Sequence, residues 1–197
     1  MTIHDDLPLV LGSTSPFRRE LLGKLGIAFE VASPDIDERQ QENETPEALV
    51  RRLSREKALA VARTFPRHLI IASDQVAVID GHILGKPGSH ENATRQLQSA
   101  SGKTVEFLTG LCLYNSKSEH LQLDVVPFRV VFRKLDDADI EHYLQREKPY
   151  NCAGSFKSEG LGIALFQRLE GDDPNSLIGL PLIRLIDMLK AEGLQVL

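Results

Sequence analysis

The sequence predicts an α/β fold with a mixed β-sheet and flanking helices. Short apolar runs typical of buried strands alternate with helix-length segments, which favours this class. Two helix starts repeat the same pattern, a hydroxyl cap followed by proline, at Ser15-Pro16 and Thr45-Pro46. The length of 197 residues fits one large domain or two small lobes around one cleft.

The first half of the chain alternates regularly. Residues 7–12 contain three consecutive apolar side chains and predict a buried strand, and Gly26 ends the helix that follows it. The Asp80-Gly81 pair is a hairpin signal. The predicted elements here are a strand at 7–12, a helix from 16 to about 25, a strand at 29–32, an irregular polar stretch at 33–44, a helix from 46 to about 64, and strands at 69–79 and 82–84.

The second half predicts more strand pairing. A polar turn at residues 115–119 separates two long strand patterns and indicates a hairpin. Ser89 is a helix cap, and Gly193 ends the last amphipathic helix. The predicted elements here are a helix from 89 to before 102, strands at 104–114 and 122–133, a helix at 136–146, a strand at 162–169 and a helix at 181–190.

Composition excludes several classes of protein. The net charge of −5, with mixed signs along the chain, argues against a general nucleic-acid binder, which needs a basic stripe. No apolar run approaches the ~20 residues that span a bilayer. Residues 1–6 are acidic and do not resemble a signal peptide, so we expect a cytoplasmic protein. Cys112 lies in an apolar run and is expected in the core, and the two cysteines form no zinc pattern.

The segment from Ser13 to Arg19 is the first candidate site. A strand ends, hydroxyl residues form a turn, and a helix begins with Arg18 and Arg19 in its first turn. Cations are unfavourable at a helix N-terminus, whereas that end attracts phosphate, so the arginines indicate a bound anion. The alternative is an ordinary serine cap followed by surface arginines.

The second candidate site is a pair of polar residues that interrupts the apolar run at 69–79. Asp74 and Gln75 lie in mid-strand, where a charge must be hydrogen-bonded, paired or metal-bound. A carboxylate that satisfies a neighbouring turn is the alternative, but Asp is disfavoured within strands. We therefore expect Asp74 to be functional.

Three lysines have unusual positions. Lys57 follows Leu49 and Leu53 at four-residue spacing and so lies in line with the apolar face of its helix, from which it could also extend to water. Lys86 lies between Gly85 and Pro87, and Lys157 lies in a glycine-bounded loop. Solvated loop lysines are the alternative for both.

An acidic segment, residues 35–38, is the last candidate. Carboxylates such as that of Glu38 are natural ligands for Mg²⁺ or Mn²⁺ in phosphoryl chemistry, and a solvated acidic loop is the alternative.

Taken in order, these segments resemble the Maf family of nucleotide pyrophosphatases, over nearly the whole chain. Two segments, Ser73-Asp74-Gln75 and 154–160, resemble its YceF-like branch in particular. The matching segments are Ser13 to Arg19, Asp35 to Glu38, Arg55-Glu56-Lys57-Ala58, Ser73-Asp74-Gln75-Val76, Gly85-Lys86-Pro87, Ser101-Gly102, and Gly179-Leu180-Pro181.

The resemblance implies a single Maf-like domain over residues 1–197, with a Maf/Ham1-like fold of two lobes around a nucleotide-binding cleft. It implies hydrolysis of 7-methyl-GTP between the α- and β-phosphates, a divalent cation (Mg²⁺ or Mn²⁺) and a homodimer. The residue roles that it implies are Asp74 as catalytic carboxylate and metal ligand, Glu38 at the metal, Phe17, Gln75 and Glu159 for base specificity, and Ser13, Arg18, Lys57, Lys86 and Lys157 for phosphate.

Two other functions stay open at this level. One is a house-cleaning pyrophosphatase with another preferred base, including dTTP or UTP. The other is a non-catalytic nucleotide sensor that regulates cell division, which keeps the phosphate site but does not need Asp74.

Overall fold

The computed structural model describes residues 7–197, so the prediction about a signal peptide at residues 1–6 lies outside the described residues. The strands are β1 (Leu9–Gly12), β2 (Phe29–Ala32), β3 (Leu69–Ile79), β4 (His82–Leu84), β5 (Thr104–Asn115), β6 (His120–Phe132) and β7 (Phe166–Glu170). The helices are α1 (Pro16–Gly23), α2 (Pro46–Ala62), α3 (His90–Ala100), α4 (Asp137–Glu147), α5 (Pro174–Ile178) and α6 (Leu182–Ala191).

The seven strands form one mixed sheet in the order β2-β1-β3-β5-β6-β7, with β4 paired to β3. Strand β1 is parallel to both of its neighbours, whereas the β3–β4 and β6–β7 pairs are antiparallel. The predicted α/β class with a mixed sheet and flanking helices is confirmed. Two lobes around a cleft remain a prediction, as does a single functional domain.

The chain divides into two compact units. Unit 1 comprises, within the described part, residues 7–75, 109–126 and 179–197, and unit 2 comprises 76–108 and 127–178. Strands β3, β5 and β6 each contribute residues to both units.

Unit 1 has a core between the parallel strands and α2. Val10 and Ile70 are fully buried on neighbouring strands, and Ala58 and Val61 of α2 pack against them. Cys112 is buried in the same cluster, as its apolar run predicts. Because β2 and β3 both run parallel to β1, the segments that follow β1 and β2 and the residues of β3 just after Ile71 lie at the same end of the paired strands.

Unit 2 is organised around aromatic side chains. The ring of Phe156 meets those of Phe107, Phe132 and Phe166 edge to face, with centroids 5.4, 5.6 and 4.9 Å away. Such pairs stabilise a core beyond the apolar area that they bury. Phe156 therefore anchors the segment that carries Lys157.

The strand predicted at residues 162–169 is confirmed only from Phe166 onward. Residues 162–169 were expected to be extended, but Leu161–Leu165 form a 3₁₀ helix and β7 begins at Phe166. The Gly162 N–H donates to the Lys157 carbonyl at 3.1 Å, and a side chain at Gly162 would collide with that backbone. The chain turns at this glycine, so it cannot yet be a strand. The short helix α5 was not predicted.

Within residues 7–197, no helix is both long and apolar enough to span a membrane.

Candidate functional site

The turn between β1 and α1 is built from side-chain caps. Ser15 is the N-cap of α1, and its Oγ accepts the Arg18 N–H at 3.4 Å, as the cap pattern predicts. The buried Ser13 Oγ accepts hydrogen bonds from the Ser15 N–H at 3.2 Å and from Arg18 Nη1 at 3.5 Å. Ser13 and Arg18, predicted together, thus lie together at a helix N-terminus.

The backbone carbonyl of Gly179 accepts hydrogen bonds from the side chains of both Arg18 and Ser73. The Arg18 Nε donates to the Gly179 carbonyl at 2.8 Å, and the buried Ser73 Oγ donates to the same oxygen at 3.0 Å. Gly179 has φ +128°, a conformation that side chains rarely allow. Burial lowers the pKa of the Arg18 guanidinium, and the charges of Asp74 and Glu38 oppose this shift. The cation therefore lies within electrostatic range of both carboxylates.

Lys57 lies between those two carboxylates. Its Nζ is 2.6 Å from Asp74 Oδ1 and 2.7 Å from Glu38 Oε1. The lysine side chain is 6% exposed, so it does not extend to water from the apolar face of α2. Asp74 is 13% exposed at its side chain, and Glu38 is 59% exposed. The structure thus brings three predicted residues from distant parts of the sequence into direct contact.

The backbone of Asp74 is held by a residue that the sequence reasoning missed. Its N–H donates to the Oγ of Ser54, a fully buried serine of α2, at 3.0 Å. A side chain at Gly110 would collide with this hydroxyl and with the Val50 carbonyl. The signal was present, because Ser54 continues the four-residue spacing of Val50 and Ala58, and both of these are buried.

The two predicted base-specificity residues of unit 1 differ in exposure. Phe17, beside Arg18, is 38% exposed and offers its ring to solvent. Gln75, beside Asp74, is partly buried, and its Nε2 donates to the Oγ1 of the fully buried Thr109 at 2.9 Å. The amide of Gln75 is therefore fixed by the core of unit 1. Thr109 is a second contributor that the sequence did not indicate.

In unit 2, Lys157 and Glu159 lie in one tight loop. The Lys157 Nζ donates to the Glu147 carbonyl at 2.9 Å, and its backbone N–H donates to the Tyr143 hydroxyl at 3.0 Å. The Gly160 N–H closes the loop onto the Lys157 carbonyl at 3.3 Å. Glu159 is exposed.

Lys86 is also a residue of unit 2, and it lies within electrostatic range of Cys152, as Lys157 and Glu159 do. Burial raises the pKa of the Cys152 thiol, Glu159 raises it further, and the lysines at 157 and 86 lower it. All three predicted residues of this unit, Lys86, Lys157 and Glu159, therefore lie within electrostatic range of one side chain.

The donor set of unit 1 is compatible with a divalent cation. Within residues 7–197, no three His, Cys, Asp or Glu side chains group as metal ligands. Asp74 and Glu38 nevertheless converge on one point, since both contact Lys57 Nζ. Mg²⁺ commonly takes one or two carboxylates and completes its shell with water and substrate phosphates. Two carboxylates beside cationic side chains fit such a site.

The candidate residues of unit 1 lie near the carboxyl ends of parallel strands. Ser13 follows β1 and Glu38 lies in the segment after β2, whereas Asp74 lies in β3, just beyond the residues of β3 that pair with β1. This edge is where α/β sheets commonly bind ligands, so the class is that of an α/β protein with a candidate site for an anionic ligand. The chain belongs to the Maf-like protein family, whose sequence profile matches residues 8–192.

Individual relatives are similar over nearly their whole length. The 7-methyl-GTP pyrophosphatase of Pseudomonas aeruginosa is 58% identical over 188 residues, which is 95% of this chain and 98% of that protein. The protein of the same name from Methylobacillus flagellatus is 57% identical over 190 residues, 96% and 99% of the two chains. Among solved structures, the Staphylococcus aureus Ham1 protein matches 64% of this chain and 72% of its own, at 14% identity and a TM-score of 0.46.

Proposed function

We propose that this protein is a nucleoside triphosphate pyrophosphatase that hydrolyses 7-methyl-GTP to 7-methyl-GMP and pyrophosphate. The observation that carries the proposal is the 57–58% identity, over at least 95% of the chain, to proteins named 7-methyl-GTP pyrophosphatase. The geometry supports it, because the candidate residues combine cations for phosphate with carboxylates for catalysis.

The phosphate-binding residues in this proposal are cationic or at a helix N-terminus. Arg18 can bind phosphate oxygens through two N–H groups at once, and the start of α1 adds its unpaired backbone N–H groups. Neutralising the charge that develops on the phosphates is the main requirement of such a reaction. The full proposed set is Ser13, Arg18, Lys57, Lys86 and Lys157.

Asp74 is proposed as the catalytic carboxylate. The reaction adds water to a phosphorus atom and breaks the P–O bond between the α- and β-phosphates, so pyrophosphate leaves and the water loses a proton. An ordinary aspartate is a weak base toward free water at neutral pH. Because Lys57 binds Oδ1, the proposal assigns Oδ2 of Asp74 to the metal or to the attacking water.

Asp74 and Glu38 would hold the divalent cation, Mg²⁺ or Mn²⁺, which supplies charge neutralisation and a more acidic bound water. Lys57 fixes both carboxylates in place, and Ser54 fixes the backbone of Asp74.

The base is proposed to contact Phe17, Gln75 and Glu159. The 7-methylguanine ring is positively charged, and stacking on Phe17 would contribute about 0.5–2 kcal/mol as a cation–π interaction. The Glu159 carboxylate can pair with this charge and accept ring N–H groups. The Gln75 amide, held by Thr109, can recognise a carbonyl or amino group of the base.

Three broader parts of the proposal concern the whole protein. We propose that it functions as one domain, that it is a homodimer, and that it acts in the cytoplasm without binding nucleic acid or membrane. The net charge of −5 supports the exclusion of nucleic acid. Light scattering on the purified protein tests the dimer: a monomer mass near 21.9 kDa contradicts it.

Product analysis tests the activity. Purified protein with Mg²⁺ or Mn²⁺ is given 7-methyl-GTP, GTP, dTTP and UTP in turn, and pyrophosphate and orthophosphate are measured separately. We expect pyrophosphate, with the highest kcat/KM for 7-methyl-GTP. Preference for dTTP or UTP would instead support the other pyrophosphatase function.

Asp74→Asn tests the catalytic assignment. We expect turnover to fall at least about 1,000-fold, on the scale of removing a catalytic group. Asp187→Asn on the exposed face of α6 is the matched control and should retain full activity. Unchanged turnover and unchanged metal dependence in Asp74→Asn would overturn the catalytic assignment of Asp74, whereas nucleotide binding without any turnover in the wild-type protein would favour the nucleotide-sensor function.

A further inference from the structure

Two loops of unit 2 carry the lysines proposed to bind phosphate, and one side chain joins them. Gln96 lies on α3 between the Lys86 loop, residues 85–88, and the Lys157 loop, residues 152–160. Its Oε1 accepts the Ser155 hydroxyl at 2.5 Å, and its Nε2 donates to the Gly85 carbonyl at 3.1 Å. A single amide thus bonds to both loops.

The orientation of this amide follows from its partners. The Gly85 carbonyl has no proton to donate, so the group that faces it must be the NH₂ of Gln96. The carbonyl oxygen of Gln96 is then directed at the Ser155 hydroxyl, which donates to it. No other common side chain of this length offers one donor and one acceptor in the same plane, so the bridge depends on an amide.

Ser155 has an unusual backbone. It is fully buried at φ +63°, in the left-handed region that few residues other than glycine adopt, and it follows Gly154 at φ +74°. A conformation of this kind is strained and persists only where the surroundings enforce it. The bond to Gln96 on one side and the buried ring of Phe156 on the other provide that support.

The Lys86 loop is braced from the same helix. The Asn92 Nδ2 donates to the Pro87 carbonyl at 2.9 Å, and the Gly88 N–H donates to the Tyr150 carbonyl at 2.9 Å. Tyr150 lies two residues before the Lys157 loop, and its hydroxyl bonds to His90 of α3 at 3.0 Å. Helix α3 therefore contacts both loops at several points, and Gln96 is the side chain that bonds to both.

We propose that Gln96 is a positioning residue that fixes the Lys86 loop and the Lys157 loop relative to each other for phosphate binding. The inference rests on the proposed function, because it takes Lys86 and Lys157 as phosphate-binding residues. Gln96 acts through these loops and does not itself need to contact the substrate.

Three variants separate the two halves of the bridge. Gln96→Ala removes both bonds. Gln96→Glu keeps an acceptor for Ser155 but places a carboxylate at the Gly85 carbonyl, and Ser155→Ala removes the other bond alone. Gln98→Ala, on the exposed side of the same helix, removes a bond to Asp137 and is the matched control.

Two measurements are made on the full-length protein. Hydrogen exchange followed by mass spectrometry reports on peptides that cover residues 84–88 and 152–162. Isothermal titration with inorganic pyrophosphate and Mg²⁺ gives a Kd without requiring turnover. We expect about tenfold faster exchange in both peptides for Gln96→Ala. For Gln96→Glu we expect this increase only in the peptide that covers residues 84–88, and for Ser155→Ala only in the peptide that covers residues 152–162.

Gln96→Ala should also raise both the Kd for pyrophosphate and the KM for 7-methyl-GTP about tenfold, which corresponds to about 1.4 kcal/mol of binding free energy. The kcat of this variant should change less than about threefold. Wild-type affinity in Gln96→Ala, or faster exchange spread over the whole chain, would overturn the inference. If the wild-type protein binds pyrophosphate but hydrolyses no nucleotide, the proposed function fails, and the Kd and exchange patterns still decide the role of Gln96.

Discussion

A lysine that is almost entirely out of solvent requires negative charge beside it, since an isolated buried ammonium is very costly. Lys57 meets this requirement with Asp74 and Glu38, at 2.6 and 2.7 Å. The same contacts keep two carboxylates close together that would otherwise repel each other. The lysine therefore stabilises the arrangement of the two acidic groups to which we assign the metal and the catalytic role.

Replacing Lys57 tests this role. Lys57→Met keeps the apolar stem but leaves the carboxylates without their shared cation, so we expect turnover to fall at least about 100-fold. The free energy of unfolding should fall by about 1–3 kcal/mol, because the Asp74 carboxylate loses a buried partner. Steady-state kinetics and urea unfolding measure the two effects.

Lys57→Arg keeps the charge and should recover part of the stability, and Lys190→Met at the exposed end of α6 should match the wild type. Activity above half of the wild-type value in Lys57→Met would contradict the role given to this lysine.

Individual residues were predictable where local physics is unusual. The sequence indicates Asp74 because a charge interrupts an apolar strand, and Lys57 because it follows the apolar spacing of its helix; the structure places the two side chains in contact, and their functional roles stay predictions. Ser54 and Thr109 were missed, since a buried hydroxyl on a helix or strand looks like any small residue. Their roles depend on which backbone or amide they face, and that is decided only by packing.

At the scale of elements, caps gave the best predictions. Ser15, Thr45 and Ser89 each cap the helix expected of them. Helix α5 was missed although Asp173-Pro174 repeats the cap-plus-proline pattern, and the Asp173 Oδ1 accepts the Asn175 N–H at 2.8 Å. The strand predicted at 162–169 failed for another reason, a close backbone approach at Gly162 that a local pattern does not reveal.

The C-terminal end of α6 is joined to the β5–β6 turn by one carboxylate. The Glu192 side chain is 7% exposed and accepts hydrogen bonds from Asn115 at 2.7 Å, His120 at 2.6 Å and Gln122 at 3.0 Å. Burial alone would raise the pKa of Glu192, but these hydrogen bonds outweigh it, so the pKa is below the ordinary value of 4.5.

This shift predicts a specific pH dependence of stability. A carboxyl whose pKa is lower in the folded state stabilises the fold fully above its unfolded pKa, and that contribution is lost as the pH falls from 4.5 through the folded pKa. Glu192→Gln should lower the free energy of unfolding by about 1–2 kcal/mol at pH 7. Below pH 4.5 the gap between variant and wild type should close.

Urea unfolding between pH 3 and pH 8 measures this gap. Glu91→Gln, at an exposed glutamate on α3, should unfold like the wild type at every pH. A constant gap across the whole range would show that the ionised form of Glu192 contributes nothing.

At the scale of the whole molecule, the α/β class and the strand positions followed from apolar periodicity. The division into two units did not, because each unit is assembled from separate stretches of sequence. One of its four boundaries follows α5 at Ile178/Gly179, and the other three fall inside β3, β5 and β6, at Gln75/Val76, Leu108/Thr109 and Val126/Pro127, where the strand pattern continues without a break. A linker search finds nothing at such positions, since no linker exists there.

Three strands that continue from one unit into the other predict that the units unfold together. A strand cannot lose its register in one half without loosening the hydrogen bonds of the other half. Each unit contains one cysteine: Cys112 is fully buried in unit 1, and Cys152 is partly buried in unit 2. The two thiols therefore report on the two units separately.

Thiol labelling with an aromatic disulfide at pH 8 tests this prediction. Burial raises the pKa of the Cys112 thiol to about 12, so roughly one thiol in ten thousand is ionised at that pH, and native Cys112 should not react. In increasing guanidinium chloride, both thiols should become reactive with the same midpoint, and the Cys112→Ala and Cys152→Ala variants assign each signal. Because Cys152 is only partly buried, its labelling rate without denaturant is the baseline. A rise above this baseline at a distinctly lower denaturant concentration than for Cys112 would mean that unit 2 opens alone, and that the shared strands do not make unfolding cooperative.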